Sequence, residues 1–226
     1  LPGEFDEIST ASGLLAVRKG GQTAYYDMRE GTAAVPQTAA NRSQMSAWAA
    51  DEVEKAVTAE LVPEELQRQY TKPCTRQKFC QLVAAVMQKR TGKTVQQLVV
   101  YRGGTDSSFT DTDDADVLAC AALGIVNGVG NGRFAPDAHI TREQAATMLV
   151  RAAGILDIRA NREHTPFNDA DRISTWAKAA VAEVSAMQTK DGAMVMQGVG
   201  SNRFAPSGIY TREQSIMTAY RLYRME

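Results

Sequence analysis

Apolar residues recur along this chain at helical spacing in short, separated bursts. Within CTRQKFCQLVAAVMQKRTG at 74–92, Phe79, Leu82, Val83, Val86 and Met87 fall at i, i+3, i+4, i+7 and i+8, which is one face of a helix. A second run follows Thr141, with Ala145, Met148, Leu149 and Ala152 on one face and an expected stop at Gly154. A third follows Thr211 and offers Ile216, Tyr220 and Tyr223. All three open on Thr-Arg. The hydroxyls of Thr141 and Thr211 can accept from a free helix N–H while Gln144 and Gln214, three residues on, reach back. Two capping boxes of about 1 kcal/mol each are predicted on that ground. After Thr75 the third position is Lys78, so that box is incomplete.

Another helical burst precedes each Thr-Arg. AWAADEVEKAVTAELVP carries Trp48, Val53, Ala56 and Val57; DADVLACAALGIV carries Val117, Leu118, Ala121 and Leu123; STWAKAAVAEVSAM carries Trp176, Ala180, Val181, Val184 and Met187. Each unit therefore reads helix, loop, helix. Before residue 40 the pattern changes: GLLAVRKGGQTAYYD predicts a hairpin, with strands near 13–18 and 22–27 turning through Gly20-Gly21, followed by the linker-like REGTAAVPQTAANRSQ. Two strands are marginal alone, so this segment is either the remnant of an upstream domain or an edge packed on the helices.

The loops expose an internal repeat. GVGNGRFAPDAHITREQ at 128–144 and GVGSNRFAPSGIYTREQ at 198–214 agree at eleven of seventeen positions, where unrelated segments share about one. Thr75 to Thr141 is 66 residues and Thr141 to Thr211 is 70, the extra length fitting QTKDGAMVM. Phe134 and Phe204 are expected to plug the gap between helices, and Pro136 and Pro206 to delay the next helix until the threonine. Helix pairs this short cannot bury their apolar faces alone, so the periodicity predicts a mainly α fold in which three units share one core.

Composition narrows the partners. The 226 residues are 44% hydrophobic and 23% charged with a formal net charge of −1, ordinary for a globular chain and unlike a nucleic-acid-binding surface. No window approaches the roughly 18 apolar residues of a membrane span, and LPGEFDEIST shows neither a basic start nor an apolar run of an export signal. Cys74, Cys80 and Cys120 form no CxxC pair and read as buried free thiols. No cofactor motif stands out. His139 and His164, both expected in loops, stand beside no nucleophile in a recognisable pattern, so no catalysis is indicated.

The candidate chemistry lies at the repeated positions. Arg76, Arg142 and Arg212 open their helices, where a cation opposes the helix dipole, so something must use each guanidinium. One use is to hold a carboxylate or phosphate docked on free N–H groups at the helix N-terminus. The other is to pair with Asp111, Asp113, Asp169 or Asp171 of a neighbouring unit. Trp48 and Trp176, where the second copy has Thr112, suit either sugar stacking or core packing. Gly128, Gly130, Gly198 and Gly200 suit either close approach of a sugar or positive φ. DTDDAD at 111–116 lacks the glycine and glutamate of a calcium loop, with Ala122 at the twelfth position, so helix-capping carboxylates are expected there and no metal.

Phe-x-Asp, Trp-Ala, Gly-x-x-x-Gly-x-Phe-x-Pro and Thr-Arg-Glu-Gln together resemble the S-layer homology (SLH) module. FNDADRISTWAKAAV…GVGSNRFAPSGIYTREQ fits over nearly its full length. The first copy keeps Trp48-Ala49 and Thr75-Arg76 but has LVPEELQRQYTKP in place of the glycine loop. The resemblance implies three modules in a pseudo-threefold bundle, at 41–104, 105–163 and 164–226, after an N-terminal segment at 1–40. It also implies an extracellular, cell-wall-associated anchor of a larger exported protein. Such modules noncovalently bind a secondary cell-wall polysaccharide attached to peptidoglycan, often pyruvylated, in grooves between modules. On that footing Arg76, Arg142 and Arg212, with Trp48, Trp176, Asp111, Asp169 and the four glycines, are the expected polysaccharide site, and Thr75, Thr141, Thr211, Gln144 and Gln214 the helix caps. The grooves are expected to be unequal. The alternative is a protein-interaction or self-assembly module with the same bundle and no polymer binding.

Overall fold

The computed structural model describes the strand residues 7–11, 14–19, 22–27 and 33–34, and residues 44–226 apart from 106. The N-terminal strands β1 (Glu7–Ala11), β2 (Leu14–Lys19), β3 (Gln22–Asp27) and β4 (Ala33–Ala34) pair in that order, all antiparallel. β2 and β3 are the expected hairpin, in register from Leu14↔Asp27 to Lys19↔Gln22. The Gly20-Gly21 turn, and the linker expected over 29–44 apart from Ala33, Ala34 and Gln44, lie outside the described residues.

Among the described residues seven α-helices follow: α1 (Ala50–Thr58), α2 (Arg76–Thr91), α3 (Val95–Tyr101), α4 (Ala115–Ala122), α5 (Arg142–Ile155), α6 (Lys178–Ser185) and α7 (Arg212–Tyr223). The molecule is mainly α. Every residue of the apolar face read on α2 is fully buried, as are Ala145, Leu149 and Ala152 on α5. Three readings shift. Helix α5 runs through Gly154 to Ile155. On α7, Met217, Ala219 and Leu222 fill the core, whereas Tyr220 and Tyr223 are half-buried. On α4, Ala119 and Cys120 are buried where Leu118 is only partly so.

The long helices share one design at their starts. The Thr75, Thr141 and Thr211 side chains each accept from the backbone N–H three residues on. Gln144 and Gln214 return the bond to the threonine N–H, at 3.2 and 3.1 Å, closing two capping boxes. Between the cap residues lies a ring: Cys74 N–H donates to the Tyr210 carbonyl at 2.8 Å, Tyr210 N–H to Ile140 at 3.1 Å, and Ile140 N–H to Cys74 at 3.0 Å. These three residues are buried and stand one position before each threonine. A closed cycle of backbone bonds among equivalent positions is a pseudo-threefold axis.

Helices α2, α5 and α7 pack on one another around that axis, and the shorter helices cover them in a domain-crossing pattern. α1 lies on α7, α4 on α2, and α6 on α5. Each unit's first helix thus lies on the long helix of the preceding unit, not of its own, α4 packing equally on α3, and α1 on α7 closes the circle. An apolar face too short to be covered locally is buried by a neighbouring copy.

Candidate functional site

Loop geometry sets the site. Asp111 accepts from the N–H groups of Phe134 and Ala135 at 2.7 and 2.9 Å, and Asp169 from those of Phe204 and Ala205 at 2.7 and 2.8 Å. Hydrogen bonds from Phe134, then Ala135 and Arg133, hold the Asp111 carboxyl below the usual carboxylate range. For Asp169 burial pushes the other way, and the Phe204 and Ala205 N–H bonds outweigh it. Ala135 and Ala205 adopt left-handed backbone, φ 58° and 55°, and Gln69 does the same in the first repeat at 53°. Phe134 and Phe204 are fully buried beneath Phe109 and Phe167, with ring centroids 5.4 and 5.3 Å apart.

Each N-terminal arginine reaches into the next repeat's loop. Arg76 donates Nε to the Phe134 carbonyl at 2.9 Å and Nη2 to Asn127 at 3.0 Å, its guanidinium lying 4.6 Å from the Phe134 ring centroid. Arg142 donates Nε to the Phe204 carbonyl at 2.7 Å and Nη2 to that of Gln197, over the rings of Phe204 and Tyr210. Both arginines are buried, and that burial holds their pKa below the usual value. Arg212 donates to the Arg68 carbonyl at 3.0 Å, and its buried Nε has no partner among the described residues. The backbone N–H groups pictured as free for an anion are also taken. Arg76, Arg142 and Arg212 N–H bond Ala138, Gly208 and Lys72, and the next residue's N–H bonds Pro136, Pro206 and Tyr70. Aspartate pairing is not the arginines' main bond either, since Asp111 and Asp169 serve loop backbone.

The residue after each arginine locks the neighbouring helix, a role that sequence reading missed. Glu143 accepts from the Ser174 N–H and hydroxyl, both at 3.0 Å, and Glu213 from those of Ser46 at 2.9 and 2.7 Å. Ser46 and Ser174 lie two residues before Trp48 and Trp176. In the first repeat the polarity reverses: Gln77 and Gln81 both donate to Asp114 Oδ2 at 3.0 Å, and Asp114 caps α4. Asp116 accepts from Gln96 at 2.8 Å, so three carboxylates of DTDDAD are committed to loop and helix ends.

Two grooves result. The first, about 300 Å³, is lined by Arg76, the Ile125–Val129 loop, Gln144, Thr147, Met148 and Arg151 of α5, and Trp176. The second, about 520 Å³, is lined by Arg142, Gln197–Val199, Tyr210, Gln214, Met217, Thr218 and Arg221 of α7, and Trp48. Each groove draws on all three repeats. Trp48 and Trp176 are 60% and 56% exposed, so the core alternative for both is set aside. Of the expected residues, Arg76, Gly128 and Trp176 meet in one groove and Arg142, Gly198 and Trp48 in the other. Arg212, Asp111, Asp169, Gly130 and Gly200 line neither. Arg151 and Arg221 went unnoticed, although each stands ten residues after its capping threonine.

Comparison with known proteins places this geometry. Residues 108–146, from the approach to α4 through the glycine loop to the start of α5, match the S-layer homology domain. Over those residues the chain is similar to an S-layer homology domain. SLH domains are in general cell-surface anchoring modules. The chain is 38% identical over 102 residues to an endoglucanase of Bacillus sp. (strain KSM-635), a stretch covering 44% of the chain and 10% of that protein. It is 29% identical over 184 residues to exoglucanase XynX of Acetivibrio thermocellus, covering 77% and 15%. It is 35% identical over 106 residues to a cell surface protein of Thermoanaerobacter kivui, covering 44% and 13%. The chain thus spans a small fraction of the relatives that it matches. Among the described residues no helix is long and apolar enough to cross a membrane.

Proposed function

We propose that this chain anchors a larger exported protein noncovalently to the bacterial cell wall, from outside the cell, by holding an acidic secondary cell-wall polysaccharide in the grooves between repeats. In this reading 41–104, 105–163 and 164–226 all act as SLH modules, the polymer is attached to peptidoglycan and carries pyruvyl groups, and the chain performs no catalytic step. The observation that carries it is the repeated pairing of an exposed tryptophan with a buried, immobilised arginine across each groove. A sugar ring presents an apolar face that stacks on the indole, and its polar edge then meets fixed cations. Because carbonyls already hold the guanidinium groups, little order is lost when a ligand arrives. Arg212 is the counterpart at the third interface, where Thr112 replaces tryptophan and Arg68 stands in place of the loop phenylalanine.

Co-sedimentation with cell-wall sacculi tests the reading. Intact sacculi are expected to pellet the chain, and sacculi stripped of secondary polymer to leave it in solution. Trp48→Ala and Trp176→Ala each remove an exposed side chain, so each is expected to weaken pelleting with an unchanged melting temperature. Equal pelleting by stripped sacculi would overturn the proposal and indicate binding to a protein or to the peptidoglycan itself.

A further inference from the structure

The two grooves share a plan but differ in charge. In the first, Arg151 donates Nη1 to the Ile125 carbonyl at 3.4 Å, and the Asn127 side-chain oxygen, in the orientation that satisfies both groups, lies 3.3 Å from its other terminal nitrogen. Both partners are neutral. Among the described residues no carboxylate forms an ion pair with Arg151. In the second groove Arg221 holds the matching place, yet Glu52 of α1 grips it: Nε donates to the two carboxylate oxygens at 2.9 and 3.1 Å and Nη2 donates to one of them. The Met194 carbonyl takes Nη1 at 3.0 Å. With side chains 13% and 20% exposed, this pair is largely shielded from water.

The difference traces to one position. Glu52 lies four residues after Trp48, and the residue four after Trp176 is Ala180. Helix α1 therefore places a carboxylate on Arg221, whereas α6 has no carboxylate at the equivalent position.

We infer that the grooves select ligands of different charge: the Arg151 groove takes the carboxylate-bearing unit of the polymer, the Arg221 groove takes an uncharged sugar, and Glu52 sets the difference. The inference rests on the reading that these grooves hold a polysaccharide. A carboxylate entering the first groove gains charge-assisted bonds to a guanidinium that has no counter-ion among the described residues. Entering the second, it meets Arg142, the counterpart of Arg76 in the first, but the other cation is already neutralised and Glu52 repels it.

Titration calorimetry on the whole chain tests this, using a hexosamine methyl glycoside with a pyruvyl ketal as the acidic probe and its methyl ester as the neutral one. The acid is expected to bind at one site per chain and the ester to bind that site far more weakly. Arg151→Gln is expected to lower affinity for the acid by about tenfold or more, the usual scale for losing a hydrogen bond to a charged group. Glu52→Gln frees Arg221 and is expected to raise the stoichiometry for the acid from one to two. Should Arg151→Gln fail to fold, the gain in Glu52→Gln decides. Two equal acid sites in the unaltered chain, an unchanged affinity in folded Arg151→Gln, or a single site in folded Glu52→Gln overturns the inference. If polymer-bearing sacculi still pellet the chain in that event, the anchoring reading survives. No probe binding together with no polymer-dependent pelleting overturns both.

Discussion

At the residue scale, the glycines of the repeated loop divide by physical cause. A Cβ on Gly128 would sit 2.7 Å from the Arg133 carbonyl oxygen, and one on Gly198 would sit 2.8 Å from that of Arg203, both fixed backbone. Gly130 and Gly200 instead require φ of +105° and +106°. Gly128→Ala and Gly198→Ala are therefore expected to lose on the order of 1–3 kcal/mol each, read as a lower midpoint in denaturant unfolding. The loop carboxylates make a second prediction. Asp111 and Asp169 titrate below their unfolded values, so their contribution is present above about pH 4 and vanishes as pH falls through the folded pKa. The Asp111→Asn, Asp169→Asn double variant is expected to be less stable at pH 7, with a smaller drop in melting temperature between pH 7 and pH 2. The aspartates were visible in the sequence as part of Phe-x-Asp. Their partners were not, because a backbone N–H more than twenty residues away leaves no mark on local spacing.

At the scale of the element, propensity and capping explain most of what forms. Thr141 and Gln144 close a box at the start of α5, and Thr141→Ala is expected to cost about 1 kcal/mol, seen as a lower thermal midpoint. Gln144→Ala opens the same box and also removes a groove wall, so it is expected to reduce both stability and sacculus pelleting. Helix α3 was missed although Thr94 and Gln97 form a capping box of the same kind, a Thr-x-x-Gln signal before VQQLVVY that was there to be read. The periodic face of α2 was legible because Phe79, Leu82, Val83, Val86 and Met87, the positions at helical spacing, are all buried. That of α7 was less so: its tyrosines lie at helical spacing, but Met217, Ala219 and Leu222 are the buried positions.

At the scale of the whole molecule, the cycle of Cys74, Ile140 and Tyr210 and the packing of α1 on α7 make each repeat depend on the others. Glu213 reinforces the closure, holding Ser46 across 167 residues of chain. Removing residues 212–226 uncovers the faces of both α1 and α2, so the truncated chain is expected to lose cooperative unfolding by circular dichroism. The chain from 44 onward is expected to unfold in one transition, and separate transitions for the repeats would contradict the interlocked packing.

The sequence by itself determined the repeated loop, the starts of the long helices and the residue types at each loop, because capping and apolar periodicity act within a few residues. Only the tertiary structure decided which helix covers which and what the arginines hold. Two helices of one repeat read as a pair, yet each first helix is buried by the preceding copy, and that choice places Trp48 beside Arg142 and Trp176 beside Arg76. It also placed Glu52 on Arg221 and, among the described residues, left Arg151 without a carboxylate. Burial and charge pairing depend on what lies across a gap in space, and near-identical local sequences therefore line grooves of different charge.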